Sequence, residues 1–215
     1  MSEILKQLHD AVLVGEPDQA RALANHALEV GVTPLTAIED ALTPAMQVVG
    51  QRYESGEYFI PDLMMAAEAM KQAMEVFEPA LMERQEQRRV LGVVVIGTVK
   101  GDIHEIGKSL VGTMLSAAGF QVHDLGVDVP ASRFVQEVQA TGANVVGLSA
   151  LLTTTMRNQE AVIEALKEAG LRQQVKVIIG GAPASPDWAQ NIGADAYAEN
   201  ANESVGVVKQ LLDVA

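Results

Sequence analysis

The chain has 215 residues, 48% of them hydrophobic and only 4% aromatic, so aliphatic side chains and nine methionines must fill the core of one large domain or two small ones. The net charge of −13 repels phosphate backbones and argues against nucleic-acid binding, and the lack of cysteine removes disulfides, thiolate nucleophiles, cysteine-ligated zinc and iron–sulfur clusters. No apolar run approaches the roughly 20 residues that span a bilayer, and Met1–Lys6 lacks the basic and apolar regions of a signal peptide, so a cytoplasmic protein with no membrane partner is expected.

The first 89 residues read as helical. Ile4, Leu5, Leu8, Val12 and Leu13 recur at helical spacing. Thr33-Pro34 and Thr43-Pro44 each set a favourable N-cap before proline at the first helical position, and Pro17 and Pro61 fit the same role. The pattern predicts helices over about 3–14, 18–30, 34–42, 44–55 and 61–82, unless Pro44 kinks one longer helix. Met64, Met65, Met70 and Met74 on the last helix are expected to fill the core rather than form an adaptable surface. The polar segment Leu81–Arg89 reads as a linker dividing 1–89 from 90–215.

From Val90 the period changes. Val90–Gly97 is a nearly unbroken β-branched run, which suits a central parallel strand buried on both faces. Further strands are predicted at Gln121–Leu125, Asn144–Leu148, Val175–Ile179 and near Asp195–Ala198, alternating with helices at about 105–118, 131–140, 156–169, 185–192 and 202–213. Five β-α units imply an α/β fold with a doubly wound, five-stranded parallel sheet.

In such a sheet ligands bind beyond the carboxyl ends of the strands, where strand order reverses. With the common order 2-1-3-4-5, which the sequence does not itself reveal, the loops after strands 1, 3 and 4 are neighbours. The first contains Gly101-Asp102-Ile103-His104-Glu105-Ile106-Gly107. Asp102 either reaches a ring nitrogen of His104, leaving the other nitrogen for a metal, or merely caps the next helix. Gly107 leaves room at that helix start. The second loop carries four hydroxyls, Ser149, Thr153, Thr154 and Thr155, which either bind a polar ligand or, the better reading in isolation, cap a helix. The third is Gly180-Gly181, whose small residues admit a flat ligand or a tight turn. Lys100 and Lys108 flank the histidine loop and are expected in solvent at least as readily as against a ligand. His9, His26 and His123 are given no direct role, and Trp188 is expected to pack a helix on the sheet.

The run Val99–Lys108, followed by Ser149-x-Leu151 and Gly180-Gly181, resembles the cobalamin-binding domain of methyltransferases. Residues 1–89, especially Gly56–Leu63, are similar to that family's helical cap domain. The nearest likeness is to the small corrinoid proteins of anaerobic methyltransferase systems that serve methanol, methylamines, betaines or methoxyaromatics; the cobalamin module of methionine synthase is a longer-chain relative. The resemblance implies a cobalt corrinoid, methylcobalamin in its loaded form, bound with its dimethylbenzimidazole displaced and His104 as lower axial ligand. Asp102 would bond His104, and Thr155 would extend that relay, where the family often has Ser. Gly101, Ile103 and Glu105 would belong to the same cofactor loop. The displaced nucleotide tail would pass Gly107, Ser149, Leu151, Gly180 and Gly181, with Thr153 in contact. Ala201 would lie near the corrin, Glu39 near its upper face, and Tyr53 and Ile60 would shield the methyl group.

The implied activity is methyl carriage from a substrate-specific methyltransferase to a second methyltransferase serving tetrahydrofolate or coenzyme M, with a reductive activation protein as a further partner. Nothing in the sequence looks able to activate a methyl donor, so the chain is not expected to act alone. A cobalamin-dependent transcriptional sensor is the main alternative, but residues 1–89 hold seven basic and fifteen acidic residues, a poor DNA-binding module. The small subunit of a carbon-skeleton mutase shares the Asp-x-His-x-x-Gly string but normally lacks a methyl cap. A flavin-binding domain has no need of His104 beside Asp102.

Overall fold

The computed structural model describes residues 2–83 and 90–214. The chain divides into two compact units, Met1–Arg89 and Val90–Ala215.

The first unit is helical. In α1 (Glu3–Val14) Leu5, Leu8 and Val12 fall on one face and are buried. The helix stops at Gly15, whose left-handed φ of 78° turns its N–H back to the carbonyls of Ala11 and Val12. Proline starts α2 (Pro17–Glu29), whose buried stripe is Ala20, Ala24 and Ala27. These small residues bring α2 close to α5 (Ile60–Glu83), which buries Leu63, Ala66, Met70, Ala73 and Phe77. Thr33 caps α3 (Pro34–Ala37) by accepting the Thr36 N–H at 3.1 Å.

The two helices expected at 34–42 and 44–55 are one continuous run. A π-helical turn, Ile38–Leu42, joins α3 to α4 (Thr43–Glu54). Thr43 does not cap anything; it is itself helical and donates its N–H to the Ile38 carbonyl five residues back. Pro44 has no N–H and would crowd the carbonyl four residues before it, and the wider turn ahead of it accommodates both defects. Two further expectations are corrected. Leu81–Glu83 end α5 instead of opening a linker, and the rest of that segment, 84–89, lies outside the described residues. Met70 is buried and Met74 half-buried, but Met64 and Met65 are 45% and 48% exposed, because a helix packed on one side keeps only one stripe inside.

The second unit is a five-stranded parallel sheet of β1 (Val93–Thr98), β2 (Gln121–Asp124), β3 (Val145–Ser149), β4 (Lys176–Gly180) and β5 (Ala196–Tyr197) in the order β2-β1-β3-β4-β5. The crossovers are α6 (Ile106–Ala117), α7 (Ala131–Thr141), α8 (Arg157–Glu168) and α9 (Pro186–Ile192), and α10 (Ala201–Leu212) follows β5. Alternation along β1 feeds two cores. Val95 joins Phe134 and Val138 of α7, Val162, Ile163 and Leu166 of α8 and Ala189 and Ile192 of α9; Val94 and Ile96 join Leu115 of α6 and Val208 of α10 on the other face. Gly97 is the position that lets Phe134 lie on the sheet, since a Cβ there would meet the Phe134 ring at 2.7 Å. Strand order reverses between β1 and β3, which places the loops after them at the topological switch point.

Candidate functional site

The register aligns the site. Thr98, Ser149 and Gly180 pair in one row across the carboxyl ends of β1, β3 and β4, so the three loops singled out in the sequence leave the sheet side by side. The histidine loop is tied down along its length. Thr98 Oγ1 donates to the His104 carbonyl at 2.9 Å, Gly101 N–H to Asp128 Oδ1 at 2.7 Å, and Asn158 Nδ2 to the Lys100 carbonyl at 2.6 Å.

Asp102 is the centre of this arrangement. It is fully buried and accepts five hydrogen bonds. Oδ1 takes the His104 N–H at 3.1 Å and the His104 ring Nδ1 at 2.7 Å. Oδ2 takes the backbone N–H groups of Leu151 at 2.8 Å and Leu152 at 3.3 Å, and the Thr155 hydroxyl at 2.6 Å. Burial by itself would raise the Asp102 pKa, but the donors from Thr155, His104 and Leu151 outweigh it and hold the carboxyl well below the usual range. The group is therefore an ionised, acceptor-only carboxylate, and His104 Nδ1 must carry the proton that joins them. In the neutral ring Nε2 then has a bare lone pair. It has no hydrogen-bond partner among the described residues, and the side chain is 46% exposed. Both helix-capping alternatives fail: neither α6 nor α8 has a side-chain cap hydrogen bond, and the Thr155 hydroxyl is turned to Asp102 instead.

Around His104 lies apolar surface: Ile103, Ile106, Leu151 and Leu152 are 75%, 63%, 42% and 43% exposed. Gly101, Glu105 and Thr153 are exposed in the same loops. A Cβ on Gly107 would meet nothing within 4 Å, whereas a Cβ on Gly181 would sit 1.8 Å from the Ala150 carbonyl oxygen, at a φ of 117°. Gly107 thus faces open space, and Gly181 is required by the close approach of the loops after β3 and β4. Ala201 is buried at the start of α10, behind the Asn200 cap. Glu39, Tyr53 and Ile60 belong to the first unit: Glu39 is exposed on the π-helical turn, Tyr53 half-buried in α4 and Ile60 exposed at the start of α5.

A B12 binding domain matches residues 92–206, and a second B12 binding domain matches residues 4–78. Dimethylamine corrinoid protein 2 of Methanosarcina acetivorans is 48% identical over 210 residues, 98% of this chain and 96% of its own. The chain belongs to the B12-binding corrinoid proteins. The trimethylamine corrinoid protein of Methanosarcina barkeri is 47% identical over 212 residues, 99% of this chain and 98% of its own. The crystal structure of the methanol:cobalamin methyltransferase complex MtaBC from the same organism contains a chain that matches with a TM-score of 0.87 at 30% identity, covering 100% of this chain and 81% of that one.

Cobalamin is the cofactor of this corrinoid protein, and the residues fit it. Among the described residues no three His, Asp or Glu side chains converge on a metal site, and His104 Nε2 presents a single ligand atom, which suits an ion whose other ligands come with its own macrocycle. The half-exposed aliphatic rim around that imidazole suits an apolar ring face.

Two buried polar residues beside the site carry weaker sequence signals. Lys108, expected in solvent at least as readily as against a ligand, is 3% exposed, with its ammonium on both carboxylate oxygens of Asp124 and 3.6 Å from Glu105. Gln159 is fully buried. Both lie on apolar stripes, Lys108 with Gly112 and Leu115, Gln159 with Val162, Ile163 and Leu166, and that spacing is the sign that betrays a buried polar group.

Proposed function

We propose that this corrinoid protein is a methyl carrier, loaded by a substrate-specific methyltransferase and unloaded by a second one serving tetrahydrofolate or coenzyme M, with a reductive activation protein to restore it. Bound cobalamin supplies the cobalt that takes up and releases the methyl group. The observation that carries the reading is His104 Nε2, bare and half-exposed at the switch point, with Nδ1 fixed on a buried carboxylate. His104 would ligate the cobalt through Nε2, in place of the cofactor's own base. Asp102 keeps the ring in the tautomer that presents Nε2 to cobalt. Because Asp102 already accepts from Leu151, Leu152 and Thr155, the shared proton stays on the imidazole instead of passing to the carboxylate, and Thr155 is part of what holds it there.

In this reading residues 90–215 form the cobalamin-binding domain and 1–89 the cap. Gly101, Ile103 and Glu105 shape the loop beneath the corrin. The nucleotide tail runs past Gly107, Ser149, Leu151, Gly180 and Gly181, with Thr153 in contact, and Ala201 lies near the corrin. Glu39, Tyr53 and Ile60 would belong to the part of the cap that protects the methyl group until a partner approaches. The names of the dimethylamine and trimethylamine relatives favour a methylated amine as donor, and the methanol complex favours a methyltransferase as the loading partner.

The test is the visible spectrum after incubation with hydroxocobalamin and gel filtration, for wild type and His104→Ala together. Wild type should retain stoichiometric corrinoid with a spectrum that the variant changes or loses. A colourless wild type, or identical spectra, would remove His104 from the site.

A further inference from the structure

Gln159 is a buried polar side chain that the Asp102–His104 chemistry does not use. It projects from α8 and is fully buried. Its Nε2 donates to the carbonyl of Leu148 at 3.0 Å and to that of Gly180 at 3.1 Å, and its Oε1 accepts the Trp188 indole N–H at 3.0 Å. Indole nitrogen can only donate, so the amide cannot turn round: the oxygen must face Trp188 and both amide hydrogens must face the carbonyls. Leu148 immediately precedes Ser149, and Gly180 immediately precedes Gly181. The direct ladder bond there is long, with Ala150 N–H 3.3 Å from the Gly180 carbonyl. One side chain from below the sheet therefore sets the separation of β3 and β4 at the point where their loops diverge, and α9 holds that side chain in place through Trp188.

We propose that Gln159 is a positioning residue for the nucleotide tail of the cofactor, fixing the spacing of the Ser149–Leu151 and Gly180-Gly181 loops, with Trp188 orienting it. This rests on the reading that the tail inserts between those loops. The residue acts through the walls of the tail site and not through cobalt, so it should discriminate between corrinoids that differ only in the tail.

The experiment compares binding of cobalamin and of cobinamide, which has the same ring and cobalt but no nucleotide, by absorbance titration of the full chain. Wild type should prefer cobalamin. Gln159→Met should weaken cobalamin about tenfold, the order expected when the loop carbonyls it holds lose a buried hydrogen-bond donor, and leave cobinamide unchanged. Trp188→Phe, which keeps Gln159 but frees its amide, should lower the cobalamin preference by a smaller factor, and it carries the test if Gln159→Met does not fold. Equal weakening of both ligands, or an unchanged preference in the folded variants, overturns the proposal while leaving tail insertion standing. A wild type that binds both ligands equally overturns tail insertion itself, and the role of Gln159 falls with it.

Discussion

Replacing Asp102 by Asn keeps the shape of the side chain and changes one oxygen into an NH2 group. The structure dictates which one. Oδ2 faces two backbone N–H groups, Leu151 and Leu152, which cannot turn round, so the Asn oxygen must take that side. The new NH2 then faces the His104 N–H and ring Nδ1 in place of Oδ1. Two donors cannot share a hydrogen bond, so Nδ1 must become the acceptor and the ring proton moves to Nε2. That nitrogen then has no lone pair to offer cobalt, although the fold survives. The His104 N–H loses its partner, at a cost of about 1–3 kcal/mol. The assay is two-part. In the cofactor-free protein, nitrogen-15 NMR of the His104 ring should show Nδ1–H in wild type and Nε2–H in Asp102→Asn, and urea unfolding should show the modest loss of stability. In the loaded protein, labelled-histidine electron paramagnetic resonance of the cobalt(II) form should show coupling to His104 in wild type only. A variant that keeps the Nδ1–H tautomer, or still ligates cobalt through His104, would refute the idea that the carboxylate selects the tautomer.

Thr155→Val removes a donor that helps hold Asp102 ionised. Because the folded-state pKa is depressed, the stabilisation is present above the ordinary carboxylate value of about 3.9 and is lost as pH falls below it; acid unfolding of the cofactor-free variant should therefore begin at higher pH, and Thr155→Ser should restore it. Gly107→Leu points a side chain into open space, so the melting temperature should hold while cobalamin retention on gel filtration falls; unchanged retention would take the tail away from that helix. Gly181→Ala should unfold or severely destabilise the second unit, because the added Cβ would lie 1.8 Å from the Ala150 oxygen; circular dichroism melting would expose a harmless substitution. Asp124→Asn should cost about 1–3 kcal/mol, because the buried Lys108 ammonium is left with Glu105, 3.6 Å away, as its remaining carboxylate. Lys108→Met should be milder because Asp124 keeps 37% of its side chain in water, and equal losses in the two urea curves would contradict this asymmetry.

Local pattern determined most of this molecule. The helical spacing of Leu5, Leu8 and Val12, the β-branched run of β1 and the prolines at Pro17 and Pro34 identify the elements, because each acts within a few residues. The order of Asp102, His104, Ser149, Leu151, Gly180 and Gly181 along the chain marks three unusual loops. Where nonlocal packing decides the outcome, the pattern is silent or misleading. Thr43-Pro44 carries the local signature of a helix start, yet the backbone absorbs it in a π-helical turn because the run on either side is held by buried Ala37, Ile38, Ala45 and Met46. Thr155 sits before a helix like a cap, but it makes no cap hydrogen bond and its hydroxyl turns to Asp102, 53 residues earlier. The adjacency of the three loops depends on strand order, and the tautomer of His104 depends on donors from two strands' ends meeting one carboxylate. A hydrogen bond between residues distant in sequence exists only once the chain has brought them together, so the sequence specifies which loops matter and the tertiary structure alone decides what their side chains do to one another.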